Sequence, residues 1–147
     1  MKPANFTTSI TVEKTAIEVF NAINNVKAWW QGEILGNNEN IGDEFSYRMR
    51  DLHYSRQRVI ELVPAKKIVW LVIDSKLGTT NSSSEWTGTK IVFELKEINN
   101  KTEFRFTHIG LVPAFECYEG CSWGWEGLVQ QSLLSLMTTG EGKNVFG

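Results

Sequence analysis

The sequence is short of the residues that usually announce a function. It holds two histidines, two cysteines and three prolines in 147 residues. Zinc takes four protein ligands, or three and a water, with thiolate and imidazole favoured. Here only His108, Cys117 and Cys121 present themselves, and their spacing follows no known ligand pattern, so no metal is expected. On a helix, Cys117 and Cys121 lie one turn apart on one face. A bond between them closes almost no loop and adds little stability. They read as free thiols in a reducing cytosol, with Cys121 a small core residue.

An excess of one charge is also lacking. Fifteen basic residues face seventeen acidic ones, for a formal net charge of −2 and a pI near 5.7. A nucleic-acid-binding domain usually carries a basic patch and a pI above ~9, so no nucleic-acid partner is expected. No polybasic run marks an anionic lipid surface. No apolar run approaches the ~18 residues of a membrane span, and Met1-Lys2-Pro3-Ala4-Asn5 lacks the apolar stretch of a signal peptide. These features predict a cytoplasmic location without membrane insertion. A nucleophile–base–acid triad, a phosphate-cradling glycine loop and a paired-carboxylate motif are all missing. No catalytic residue and no cofactor are assigned.

What is present is apolar and aromatic: 41% hydrophobic residues and six tryptophans. The length fits one domain over residues 1–147, since domains cluster near ~100–150 residues. Phe6, Ile10 and Val12 among β-branched threonines read as a first strand. Thr15 with Glu18 is a capping box, and Ala16, Val19, Phe20 and Ile23 follow at helical spacing. Asn24-Asn25 interrupts the helix, and Val26 to Trp30 reads as one further turn. Because Trp29 and Trp30 are adjacent, one is expected inside and the other at the mouth of a cavity.

From Phe45 onward the period is two. Phe45, Tyr47 and Met49 alternate with polar residues, as do Ile91, Phe93 and Leu95, then Phe104, Phe106 and His108. His53 to Val63 is a weakly patterned strand. Ile68 to Ile73 is a continuous apolar run that reads as a strand buried on both faces. The side of Asp74 is undecided. Past Pro113 the period returns to 3.6. Cys121, Trp125, Leu128, Ser132 and Leu136 form a row that Val129, Leu133 and Met137 widen, and Gly140 suits the position past a helix end. Glycines 120, 124 and 127 weaken the first turns, which a close approach to another element would explain. The result is an α+β fold: consecutive strands joined by short turns, hence antiparallel, in a curved sheet covered by one long amphipathic helix.

Ile10-Thr11-Val12 through Val19-Phe20 and Trp29-Trp30 carry a resemblance, together with Val59 to Trp70, Glu85-Trp86-Thr87-Gly88-Thr89 and Phe106 to Leu111. The chain resembles the helix-grip superfamily of START-like and Bet v 1-like (SRPBCC) proteins. Within it, the chain is similar to bacterial domains named after the activator of the ninety-kilodalton heat-shock-protein ATPase. The resemblance spans nearly the whole chain. It implies a helix-grip fold and a binding cavity, while fold alone leaves activity open.

The expected function is binding of a small apolar or lipid-like molecule, without catalysis, in a cavity between sheet and C-terminal helix. Trp30, Phe45, Tyr47, Met49, Phe93, Phe106 and Trp125 would line it, and His108 and Tyr118 would supply polar contacts. His108 shares the inward row of Phe104 and Phe106; its alternative role is a structural hydrogen bond at a strand end. Each tryptophan serves equally as plain core. Glu85 stands in a loop as a possible acid or base, or simply as a solvated carboxylate. Two further functions stay open: an enzyme using the same cavity, of cyclase, lyase or hydrolase type, and a cochaperone-like stimulator of a heat-shock ATPase. A protein partner is not identified.

Overall fold

The structure, a computed structural model, describes residues 5–30, 32–49, 53–77, 86–112 and 118–143. Seven strands form one curved antiparallel sheet in the order β1-β7-β6-β5-β4-β3-β2. They are β1 (Phe6–Val12), β2 (Glu33–Gly36), β3 (Glu44–Met49), β4 (His53–Val63), β5 (Lys67–Leu77), β6 (Lys90–Ile98) and β7 (Lys101–Ile109). Two short helices, α1 (Ala16–Asn24) and α2 (Val26–Trp29), separate β1 from β2. The chain then runs as a meander to β7, and a long helix closes the fold: α3 (Tyr118–Gly127), a π-helical stretch (Leu128–Leu133) and α4 (Leu134–Thr139). This is the expected helix-grip architecture, with the brief β2, too short to show an alternation, added at the sheet edge.

The local chemistry behaves as its residue types dictate. Thr15 caps α1: its hydroxyl accepts from Glu18 N at 3.3 Å, and the Glu18 carboxylate accepts from Thr15 N at 3.2 Å. Ala16, Val19, Phe20 and Ile23 are the buried face of α1. Gly140 ends α4 in the left-handed region, with φ 88°. In the π-helical stretch, Leu134 N donates to Val129 O, five residues back. The wider turn brings Leu128, Val129, Ser132 and Leu133 all into the core.

Three expectations need correction. Both Trp29 and Trp30 are buried, at 1% and 2% exposure. The constraint that adjacent helical residues diverge does not apply, because α2 ends at Trp29 and Trp30 is extended, with ψ 103°. The backbone turns between the two indoles, so both point inward. Second, β5 is not sealed evenly: Ile68, Trp70 and Val72 are fully buried, whereas Leu71 and Ile73 on the other face are partly exposed. Third, a side chain at Gly120 would meet open space, so no close approach explains that glycine.

Two β-bulges between β4 and β5 set which residues face inward. The register slips between Arg56 and Gln57 and between Val59 and Glu61. The first slip turns Asp74 to solvent and Ser75 inward. The second leaves Ile60 on the outside while Leu62 still packs against the core.

Candidate functional site

The inner sheet face and the C-terminal helix meet through aromatic rings. Phe45 and Tyr47 come from β3, Trp70 from β5, Phe93 from β6, and Phe106 and His108 from β7. Strand alternation puts each on the same side. Trp30 arrives from the end of α2 and Trp125 from α3. Trp30 stacks on Tyr47 with ring centroids 4.3 Å apart and lies 5.2 Å from Trp125. Trp125 sits 4.6 Å from Phe106, which contacts Phe93 at 5.3 Å. The structure thus brings together six of the sequence-derived lining residues. Met49 is half-buried at the end of β3, and Tyr118 is partly buried against the hydrophobic core. Glu85 and Cys117 lie outside the described residues. Cys121 is partly buried against the core, and no group of three or more metal-ligating side chains forms among the described residues.

His108 is fully buried, and both its ring nitrogens are engaged. The Trp125 indole N–H donates to Nδ1 at 3.0 Å. An indole nitrogen is a donor only, so the neutral imidazole carries its proton on Nε2 and donates it to Thr89 Oγ1 at 2.7 Å. The Thr89 hydroxyl donates in turn to Trp86 O at 2.5 Å. This unbranched chain locks helix, β7 and the 86–89 turn together. Burial drives His108 down to about 3, with the nearby His53 adding in the same direction. Gly110 makes room for this arrangement. At φ +101°, a Cβ there would stand 2.7 Å from Thr89 Cγ2.

A second polar group, which the sequence reading passed over, lies on β4. His53, Ser55 and Gln57 occupy alternate positions and share the inward face. Ser55 and Gln57 are fully buried. Gln57 Nε2 donates to Ser55 Oγ, and His53 Nε2 stands 3.4 Å from that hydroxyl. His53 also packs its ring edge-on to Trp86 at 4.4 Å and to Tyr47 at 5.3 Å. Burial lowers His53 to about 4. The Tyr47 phenol is pushed up by burial, partly offset by its hydrogen bond with the Trp30 side chain. The sequence carried no signal for it: that the polar row 53-55-57 lies beside the apolar row 45-47-49 follows from the pairing of β3 with β4. Its polar content concealed it, because an inward strand face is expected to be apolar.

Three buried atoms here have no hydrogen-bond partner among the described residues: Gln57 Oε1, Trp70 Nε1 and Trp86 Nε1. Buried polar atoms are nearly always satisfied, and each exception costs about 1–3 kcal/mol. Asn24 Oδ1 on α1 and Ser122 Oγ on α3 likewise have no partner among the described residues.

The profile of the family described as activator of Hsp90 ATPase homolog 1-like protein matches residues 15–138. The chain belongs to that family. Among solved structures, the AHSA1-like chain is similar to the Aha1 dimer from Colwellia psychrerythraea, with 24% identity, a TM-score of 0.75, and coverage of 95% of this chain and 99% of that one. It is also similar to the protein Mll3558 from Rhizobium loti, at 17% identity and TM-score 0.71, covering 92% and 97% of the two chains. A third relative in structure is DynU16, a protein of the dynemicin biosynthetic locus, at 15% identity and TM-score 0.67; 95% of this chain matches 49% of that one. These likenesses establish the AHSA1-like fold. No curated protein matches the sequence. No helix among the described residues is long and apolar enough to cross a membrane.

Proposed function

We propose that this AHSA1-like domain binds a small, largely apolar molecule between the C-terminal helix and the inner sheet face, without catalysing its conversion. The observation that carries the reading is that three buried polar atoms on residues of the aromatic inner side, Gln57 Oε1, Trp70 Nε1 and Trp86 Nε1, have no partner among the described residues. A fold that served only its own stability would gain by replacing them with apolar groups. Trp30, Phe45, Tyr47, Met49, Phe93, Phe106 and Trp125 supply the wall, and Tyr118 stands at its edge. His108 contributes the face of its ring and the anchoring of Trp125, since both its nitrogens are committed. That commitment also argues against a general base at this position, because a base needs a free lone pair within reach of a substrate proton.

Titration with N-phenyl-1-naphthylamine tests the reading. Binding should raise probe fluorescence and quench tryptophan emission at one site per chain, and Met49→Trp should abolish both by filling the volume. Absence of saturable binding would overturn it. A second reading, stimulation of a heat-shock ATPase, rests on the description of the family. A steady-state ATPase assay with and without the purified chain decides it.

A further inference from the structure

The two halves of the covering helix are held unequally. Of the ten residues of α3, Trp125 alone is buried, while Tyr118 and Cys121 are partly buried against the core. Glycines 120, 124 and 127 weaken this half as a helix. Past it, Leu128, Val129, Ser132, Leu133 and Met137 are all buried. Ser132 clips that second half in place: its Oγ donates to Trp29 O at 2.7 Å and accepts from Lys143 N at 3.1 Å. Gln130 Nε2 donates to Thr8 Oγ1 on β1 at 2.7 Å. The second half is therefore tied to α2, to the chain beyond α4 and to β1. The first half is fastened to the sheet chiefly through Trp125 and its bond to His108. The halves join at the π-helical stretch, with Gly127 directly before it. Helices bend at such stretches, and a glycine adds backbone freedom.

Trp125 sits in an aromatic seat. Its ring lies 4.6 Å from Phe106 and 5.2 Å from Trp30, and it stacks on Trp86 at 5.6 Å. The indole itself thus occupies the space among these rings. From this juxtaposition we infer that α3 is a lid hinged at the π-helical stretch, that the Trp125 indole is its plug, and that a bound molecule takes the plug's place. The vacated seat has aromatic walls and one acceptor, His108 Nδ1, which is costly to leave bare. It fits a flat ring carrying an N–H donor, the chemistry of the side chain it holds when closed. The inference rests on the binding function proposed above and adds how the site opens and the class of its ligand. Trp125 is then the part of the wall that moves, and the full engagement of His108 belongs to the closed form.

Hydrogen exchange on the whole chain tests the lid without any ligand. The Trp125 indole N–H should be protected about 100-fold or more weakly than the amides of Leu133 and Met137, through opening of α3 alone. Equal protection would mean that the helix opens as one piece and would overturn the lid. Titration with indole, followed by NMR of isotope-labelled tryptophan, tests the plug. At saturation the Trp125 indole N–H should lose its protection while Leu133 keeps its own. 1-Methylindole has the ring without the donor and should bind about tenfold or more weakly, the scale of one hydrogen bond. Indole bound with Trp125 still protected would overturn the plug and leave the binding function standing. Equal binding of the two probes would overturn the N–H class. No saturable binding of either would overturn the binding function and the plug with it, while the lid stands or falls on the exchange measured without ligand. Trp125→Ala should bind indole about tenfold or more tightly than the parent chain, because no plug has to be displaced. An unchanged affinity in a variant of native circular dichroism would overturn displacement. Should that variant fail to fold, the measurements on the parent chain decide alone.

Discussion

The indole of Trp125 donates its N–H to Nδ1 of His108 across 3.0 Å, joining the C-terminal helix to the last strand inside the core. The bond fixes the imidazole as the Nε2–H tautomer. Trp125→Phe keeps most of the ring but leaves Nδ1 buried and unpaired. It should cost about 1–3 kcal/mol in urea unfolding. Nitrogen chemical shifts of His108 should report the Nε2–H form in the parent chain. A protonated Nδ1 would contradict the network.

Stability should fall as the solution is made acidic, beginning near neutrality. Burial holds His53 at about 4 and His108 at about 3, both below the ordinary value near 6.5. Between those values the unfolded chain has taken up protons that the folded chain refuses. The stabilisation is therefore complete above about pH 7 and is lost as pH falls from about 6.5 towards 4. The slope is at most about 1.4 kcal/mol per pH unit for each histidine. Glu18, held low by its backbone bond to Thr15, and Glu44, held low by Arg56 and Arg58, add their losses only in the carboxylate range below. Urea unfolding at pH 7, 6 and 5 measures this. His53→Gln should remove close to half of the slope, and a flat profile would mean both imidazoles protonate in the fold.

The helix is docked through its buried stripe, in which Leu128 is 3% exposed. Leu128→Ala should cost about 2–5 kcal/mol, read by chemical denaturation. A loss below about 0.5 kcal/mol, the scale of a surface substitution, would mean that the side chain does not contribute to the docking.

Gly110→Ala should destabilise for two independent reasons. The residue sits at φ +101°, and the added methyl would press on Thr89 Cγ2 at 2.7 Å. A cost of about 1–3 kcal/mol follows from the backbone alone. If Thr89 gives way, its bond to His108 is disturbed as well, and the His108 ring shifts should move in the variant's NMR spectrum. A melting temperature unchanged from the parent would show the turn has room that the geometry denies.

Much of this was legible in the sequence. Alternation at 45-47-49, 91-93-95 and 104-106-108 placed the inner face, the Thr15–Glu18 pair placed the start of α1, and the row from Trp125 to Met137 placed the covering helix. Those signals are local and periodic, so they survive without tertiary information. Three things were decided only by the fold. Trp30 turned inward because the helix ended one residue earlier, which depends on where backbone hydrogen bonds stop. Asp74 turned outward because of a bulge, and a one-residue slip in register flips every side chain beyond it. The polar row His53, Ser55 and Gln57 came to rest inside because β4 pairs with β3 and β5. No property of an isolated strand states that its neighbours will bury its polar side and leave some of its atoms unpaired.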